Sequence, residues 1–476
     1  MSKIKRLAGE TALYGLGSIV PRAINFFLII PHTNVFAPEE YGVITDLYAW
    51  VAFLNVVYSF GMETTYFRFA SKAQADPVRI FNIAQTTVLI ITLSISALFL
   101  LFAQPIANGF HIPTHANYVV WLVATMAIDA CVAIPFARLR LEKKALKFAL
   151  AKLVNVVIIA SLNVYFLGYA YDPSFGVGYV FLFNLIANAF YLVFFARTLI
   201  QWRPVLDKIF FRPMLTYAYP IMITGLAGMT NEMFSRITLR SWLPENFYPG
   251  KSASYALGVF GACYKFATFM NLAVQAFRFA AEPFFFSNAA DKESPQLFAR
   301  VNHYFIVVCC IFLLGISINL DLLQYILRDE AFREGLPIVP VLLTGYLFLG
   351  IYYNLTVWFK LTDKTYYGTI ITGGGAVVTI LANYVLIPVA GYMGSSLATL
   401  ICYLSMTVAC YLLGRRYLPI PYQVTRGLAY ILITLLLIYG IRSFAIDNLY
   451  IATGFHTVVI LAFAGIAYQI EKPRRH

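Results

Sequence analysis

Apolar runs about twenty residues long, separated by short polar stretches, follow one another along the whole chain. Each could cross the ~30 Å hydrocarbon core as a helix. They fall at about 11–31, 42–61, 79–103, 118–137, 148–170, 177–199, 213–235, 255–280, 300–320, 337–358, 366–388, 391–413, 427–446 and 450–470. The pattern predicts an all-α polytopic membrane protein of about 14 transmembrane helices. Pro220 weakens the seventh run, and the "GGG" at 373–375 weakens the eleventh.

Composition agrees. The chain is 60% hydrophobic and 12% charged, against about 25% charged for a soluble domain. All six cysteines lie inside apolar runs and read as packing residues. The basic start "MSKIKRLAGE" resembles a signal peptide, but the following stretch contains Arg22 and lacks an Ala-x-Ala exit. It reads as the start of an uncleaved first span.

The net charge of +13 would suggest nucleic acid in a soluble protein. Its distribution points elsewhere, and no nucleic-acid partner is expected. With both termini in the cytoplasm, 27 of the 35 Lys and Arg fall on the cytoplasmic side and 6 on the outer side. That bias sets the orientation of a multi-pass protein. The other two, Arg22 and Lys265, lie within spans.

Two blocks of internal similarity divide the chain. "GVITDLYAWVAFLN" (42–55) aligns with "GVFGACYKFATFMN" (258–271), and Leu141, Lys144 and Asn163 align with Leu361, Lys364 and Asn383. The shift is six spans, so the halves share orientation, with a pseudo-twofold along the membrane normal. The expected organisation is an N-terminal lobe (1–199, spans 1–6), a cytoplasmic interfacial linker (200–212), a C-terminal lobe (213–413, spans 7–12) and two extra helices (414–476). The linker and the outer stretch "DLLQYILRDEAFREG" (321–335) look amphipathic and interface-lying.

Charges at mid-membrane depth are costly and mark candidate sites. Arg22 could grip a diphosphate through two hydrogen bonds, and Lys265 could serve the same anion as a point charge. Asp129 in span 4 is either their counter-ion or a residue for proton or sodium coupling. Asp46 lies near the outer end of span 2, where interfacial water would explain it. Glu232 with Arg236, and Arg278 with Glu282, stand at i, i+4 and read as local ion pairs or gate contacts. Pro21, Pro220, Gly225 and Gly228 are candidate hinges in spans 1 and 7. The six histidines lie at span ends or in loops without a partnered carboxylate, and no phosphate loop, nucleophile elbow or metal constellation is present. A transporter with neither enzymatic chemistry nor a cofactor is expected.

Several stretches carry a family resemblance: "FAPEEYGVITDLYAW", "GMETTYFRFASK", "GLAGMTNEMFSRITLRSWLP", "KLTDKTYYG" and "GYMGSSLATLICY". In this order they resemble the polysaccharide-flippase branch of the multidrug/oligosaccharidyl-lipid/polysaccharide exporter superfamily, over nearly the whole chain. The resemblance implies a bacterial inner-membrane flippase that moves undecaprenyl-diphosphate-linked oligosaccharide to the outer leaflet. The units would serve O-antigen, capsule or exopolysaccharide synthesis, with a polysaccharide polymerase as possible partner besides the membrane lipids. The related lipid II flippases line their cavity with arginines on spans 1, 2 and 8; here span 1 has Arg22, span 8 has Lys265, and span 2 has only Asp46. Cation-coupled multidrug exporters of the same fold often carry an acid on span 1, where this chain has Arg22. These are the alternative readings.

Overall fold

The computed structural model describes residues 19–71, 76–205, 207–289, 293–444 and 448–472, with Gly15, Gly17, Asp291 and Ile446. The basic segment 1–14 and His476 lie outside the described residues. Among the described residues every regular element is helical.

Residues 19–27 form α1, which breaks at Leu28 and resumes as α2 (Ile29–Val35). There follow α3 (Pro38–Ser59), α4 (Met62–Ala70), α5 (Pro77–Leu101), α6 (Ala103–Gly109), α7 (Ala116–Leu141), α8 (Ala145–Tyr169), α9 (Gly178–Phe194), α10 (Ala196–Ile200) and α11 (Lys208–Trp242). The rest are α12 (Ala253–Ser287), α13 (Ser294–Ile318), α14 (Leu320–Leu323), α15 (Ile338–Leu355), α16 (Val357–Leu361), α17 (Tyr366–Tyr417), α18 (Val424–Arg442) and α19 (Leu449–Glu471).

Ten of these helical stretches are long and apolar enough to cross a membrane. One, α17, is two spans in a single 52-residue helix, because its path breaks at Gly391 (φ 53°, ψ −131°). Only glycine enters that region freely. The remaining expected spans are α1–α2, α9 and α11, the last interrupted by Pro213 and Pro220. The chain is a multi-pass membrane protein. Its exposed surface agrees: Leu432, Leu436, Val458 and Leu461 stand outward on α18 and α19, where only hydrocarbon makes an apolar face favourable.

Local chemistry sets the boundaries. Pro38 opens α3 while Glu40 Oε2 accepts from the Ala37 amide at 3.0 Å. Phe60 and Gly61 take positive φ and turn the chain into α4. Asp76, Ser252 and Asn448 cap α5, α12 and α19 by accepting from backbone amides.

The chain packs as two compact units, one ending at Ile237 and the other beginning at Thr238. In the first, α7 is central and contacts α3, α5, α8 and α9. Most of α11 packs here too: a Cβ on Gly225 would meet Val56 Cγ1 at 2.9 Å, and one on Gly61 the Ala218 carbonyl oxygen at 2.9 Å. In the second, α15 is the core helix, with 94% of its apolar window buried against α12, α13 and α17.

The two stretches expected to lie on the interface make contacts with the protein. In the 200–212 linker, the Trp202 Nε1–H faces the Asn82 carbonyl (3.4 Å) and Thr86 Oγ1 (3.3 Å), and the Val205 amide donates to Thr86 Oγ1 at 3.1 Å. In 321–335, Leu327 and Phe332 are fully buried and Cys263 Sγ donates to the Phe332 carbonyl at 3.3 Å.

Candidate functional site

The two units repeat one framework. Asn163 and Asn383 occupy equivalent positions, and each donates to the carbonyl four residues earlier at 2.8 Å. Arg140 pairs with Glu63 in the first unit, and Lys360 pairs with Glu282 in the second. Arg140 and Lys360 are 220 residues apart, and Glu63 and Glu282 are 219 apart.

Upon that frame the first unit adds a polar cavity of about 390 Å³ lined by Asn55, Ser59, Glu63, Asp129, Arg140 and Lys152. Glu63 and Arg140 come from α4 and the end of α7, and Arg140 also stands 5.0 Å from the Phe67 ring. Deeper in, Asp129 of α7 has the Asn188 side chain as a neighbour. Asn188 is held in turn by Asn155 Nδ2, which donates to Asn188 Oδ1 at 2.9 Å. The Lys152 ammonium stands over the rings of Phe136 (4.3 Å) and Tyr191 (4.8 Å). Asp129 is its foremost charged neighbour, ahead of Glu63 and Arg140.

The sequence leaves Asp129 either as counter-ion to Arg22 and Lys265 or as a coupling residue; within the first unit Lys152 is a further charged neighbour on the same cavity. Lys152 falls near the start of the fifth run (148–170), where it counts with the basic residues of the preceding connection; α8 starts at Ala145 and carries it two turns into the helix.

Arg22 is exposed on α1 with Asn25, one turn on, exposed beside it. Spacing of i, i+3 puts the two on one face, so α1 carries a polar stripe where lipid contact would favour an apolar one. Phe27, also exposed, points elsewhere around the helix. Lys265 is half-buried on α12 amid fully buried neighbours Tyr264 and Phe266. Asp46 is buried, at 4% exposure, so interfacial solvation does not account for it.

The expected Arg278–Glu282 pair is present at 3.4 Å and is extended by Lys360 into a three-charge cluster, with Arg278 stacked 4.6 Å over Tyr353. Arg236 Nη1 lies 2.9 Å from the Met233 sulfur, and Glu232 is one turn away on α11. Of the hinge candidates, Gly225 has a packing role against Val56, whereas nothing lies within 4 Å of a Cβ on Gly228. Pro21 and Pro220 sit inside helical segments.

The histidines differ from expectation. His303 is buried on α13 with Nε2 2.9 Å from Glu471 Oε1, and the Tyr430 hydroxyl donates to the same oxygen at 3.1 Å. His456 is buried inside α19, and His32 Nε2 donates to Asn163 Oδ1 at 2.9 Å. Such pairings bridge distant spans and leave no local trace in sequence.

The fold so described is that of the multidrug and lipid exporters. It resembles the lipid II flippase MurJ in an inward-closed conformation with a TM-score of 0.75 at 14% identity, covering 96% of this chain and 99% of that one. It also resembles a multidrug resistance MATE family transporter of the MOP superfamily. The inward-facing form gives a TM-score of 0.63 at 13% identity (85% and 94% covered), and the outward-facing form 0.58 at 13% (85% and 93%). A family model described as polysaccharide biosynthesis protein matches residues 35–284, more than half of the 476-residue chain. The chain belongs to that family. Comparison with curated proteins gives no match.

Proposed function

We propose that the protein is a flippase that moves an undecaprenyl-diphosphate-linked oligosaccharide from the cytoplasmic to the outer leaflet of the bacterial inner membrane by alternating access. The observation that carries this reading is Arg22, a cation exposed on a membrane-spanning helix with Asn25 beside it. A guanidinium there is stable where water or an anionic headgroup reaches it, and its fork matches a phosphate. Lys265 is the second contact to the diphosphate. Asp129 carries any ion coupling; Pro21, Pro220 and Gly228 supply bending; the Arg278–Glu282–Lys360 cluster lies at the cytoplasmic end. Membership of a polysaccharide biosynthesis family supports the cargo class, whose products would be O-antigen, capsule or exopolysaccharide built with a polymerase partner.

The test is complementation of a strain lacking its polysaccharide flippase, with protein levels in the membrane followed by immunoblot. The wild-type gene restores surface polysaccharide, whereas Arg22→Ala and Lys265→Ala insert normally and do not. Restoration by both variants would remove the site assignment.

A further inference from the structure

In the second unit α18 packs on α13, and α17 packs on α15. Between the start of α18 and the part of α17 beyond Gly391 an apolar slot of about 150 Å³ remains. Ile306, Phe348, Ile351 and Ile431 line it and are buried, whereas Val408 of α17 and Leu428 of α18 line it at 46% and 53% exposure. A space of this size and lining stays dry and accepts a small piece of hydrocarbon. Because its outer residues face the bilayer, lipid chains reach it, and a chain that enters gains packing contacts an empty slot forfeits.

The slot adjoins a polar opening of about 540 Å³, which shares Tyr411, Tyr422, Gln423 and Val424 with it and adds Thr425 and Arg426. Arg426 is exposed, and its Nη1 donates to Gln423 Oε1 at 3.3 Å. Arg415, also exposed, stands 5.8 Å from the Tyr411 ring and lines the neighbouring crevice with Tyr411 and Tyr422. Among the described residues neither guanidinium forms an ion pair with a carboxylate. Glu471, which with Arg426 is a charged neighbour of Tyr430, is engaged by His303 and the Tyr430 hydroxyl. On the orientation set by the charge bias, this basic end is cytoplasmic. An apolar slot beside a mouth with two uncompensated cations matches a molecule with a hydrocarbon chain on an anionic head.

We propose that the slot and its mouth bind an anionic phospholipid of the cytoplasmic leaflet. One acyl chain lies between α17 and α18, and the phosphate sits at Arg426 and Arg415. Two guanidiniums with no carboxylate beside them favour a headgroup that carries no cation of its own, so phosphatidylglycerol is preferred to phosphatidylcholine. The lipid is a resident of the fold that fills the gap between α17 and α18. Its binding does not depend on the cargo.

The test uses purified full-length protein, delipidated in a neutral detergent, with thermal unfolding followed after addition of phosphatidylglycerol or phosphatidylcholine bearing the same chains. Phosphatidylglycerol is expected to raise the wild-type midpoint by about 2 °C or more above that in phosphatidylcholine. The double variant Arg415→Gln, Arg426→Gln is expected to lose this difference, and Arg442→Gln, in the last turn of α18, to keep it. Val408→Trp, which fills the slot and leaves both arginines in place, is also expected to lose it. Equal midpoints for the wild type in the two lipids would overturn the proposal, as would a full difference in either the double variant or Val408→Trp. Should one of these variants fail to fold, the other decides. Free glycerol phosphate is expected to give no rise; one equal to that from phosphatidylglycerol would leave the slot without a role and overturn the inference. A rise with undecaprenyl phosphate and none with phosphatidylglycerol would assign the slot to the cargo's chain, which also overturns it. No transport is measured, so a wrong assignment of the cargo leaves the result readable.

Discussion

Lys360 Nζ is ion-paired with Glu282 Oε1, and Arg278 Nε reaches the same oxygen at 3.4 Å. Arg140 with Glu63 is the counterpart in the first unit. Each unit thus ties its second span to its fourth by an acid and a base. The Glu282 side chain is 39% exposed, and at that exposure solvent screening limits such a pair to about 0.2–1 kcal/mol. A double-mutant cycle of Lys360→Met and Glu282→Gln, read by thermal unfolding, should give a coupling energy in that range.

Gly391 is expected to resist substitution more than other glycines of the spans. Its φ of 53° is unfavourable for any L side chain, and a Cβ there would lie 2.2 Å from the Tyr248 hydroxyl. Gly391→Ala should destabilise the protein by about 1–3 kcal/mol from backbone strain alone. The unfolding midpoint in detergent measures it, with Gly373→Ala, which has open space around it, as control.

The fourteen spans were legible because length and hydropathy suffice to find a membrane helix. The break between the eleventh and twelfth runs, at 388–391, coincides with the kink at Gly391; what the sequence did not show is that the helix turns there through a single glycine at positive φ, with no loop between the spans. Arg22 and Asp129 stood out as charges inside apolar runs. Lys152 did not, because it lies at the start of the 148–170 run just after Lys143, Lys144 and Lys147 and reads with them as one more cytoplasmic lysine. The pairing of His303 with Glu471 lay beyond reach, since nothing local connects α13 with the last turn of α19.

That pairing should hold the final two helices to the second unit. Loss of the imidazole removes that contact between α13 and α19 and leaves a void where His303 was buried. His303→Ala is therefore expected to loosen α18 and α19, and limited proteolysis should cut between Phe444 and Leu449 faster than in the wild type. Gly440→Ala, with nothing within 4 Å of its Cβ, should leave that rate unchanged.

Acid stability should depend on Glu142, just past the end of α7. Partial burial would raise its pKa, but hydrogen bonds from Lys144 and Arg138 outweigh that and hold it below the ordinary glutamate range. A group depressed in this way adds stability above its unfolded pKa and loses it as pH falls through the folded one. Glu142→Gln should flatten the decline of the unfolding midpoint below about pH 4 and change nothing above pH ~6 beyond a constant offset.

The central claim is that Arg22 receives the diphosphate of a lipid-linked sugar. It is tested most directly by reconstituting the purified protein in liposomes and following leaflet exchange of undecaprenyl-diphosphate-linked oligosaccharide. Wild type should accelerate exchange, Arg22→Ala should lower the rate at least tenfold, and Arg22→Lys, which keeps the charge but not the fork, should fall between them. Equal rates for wild type and Arg22→Ala would contradict the account.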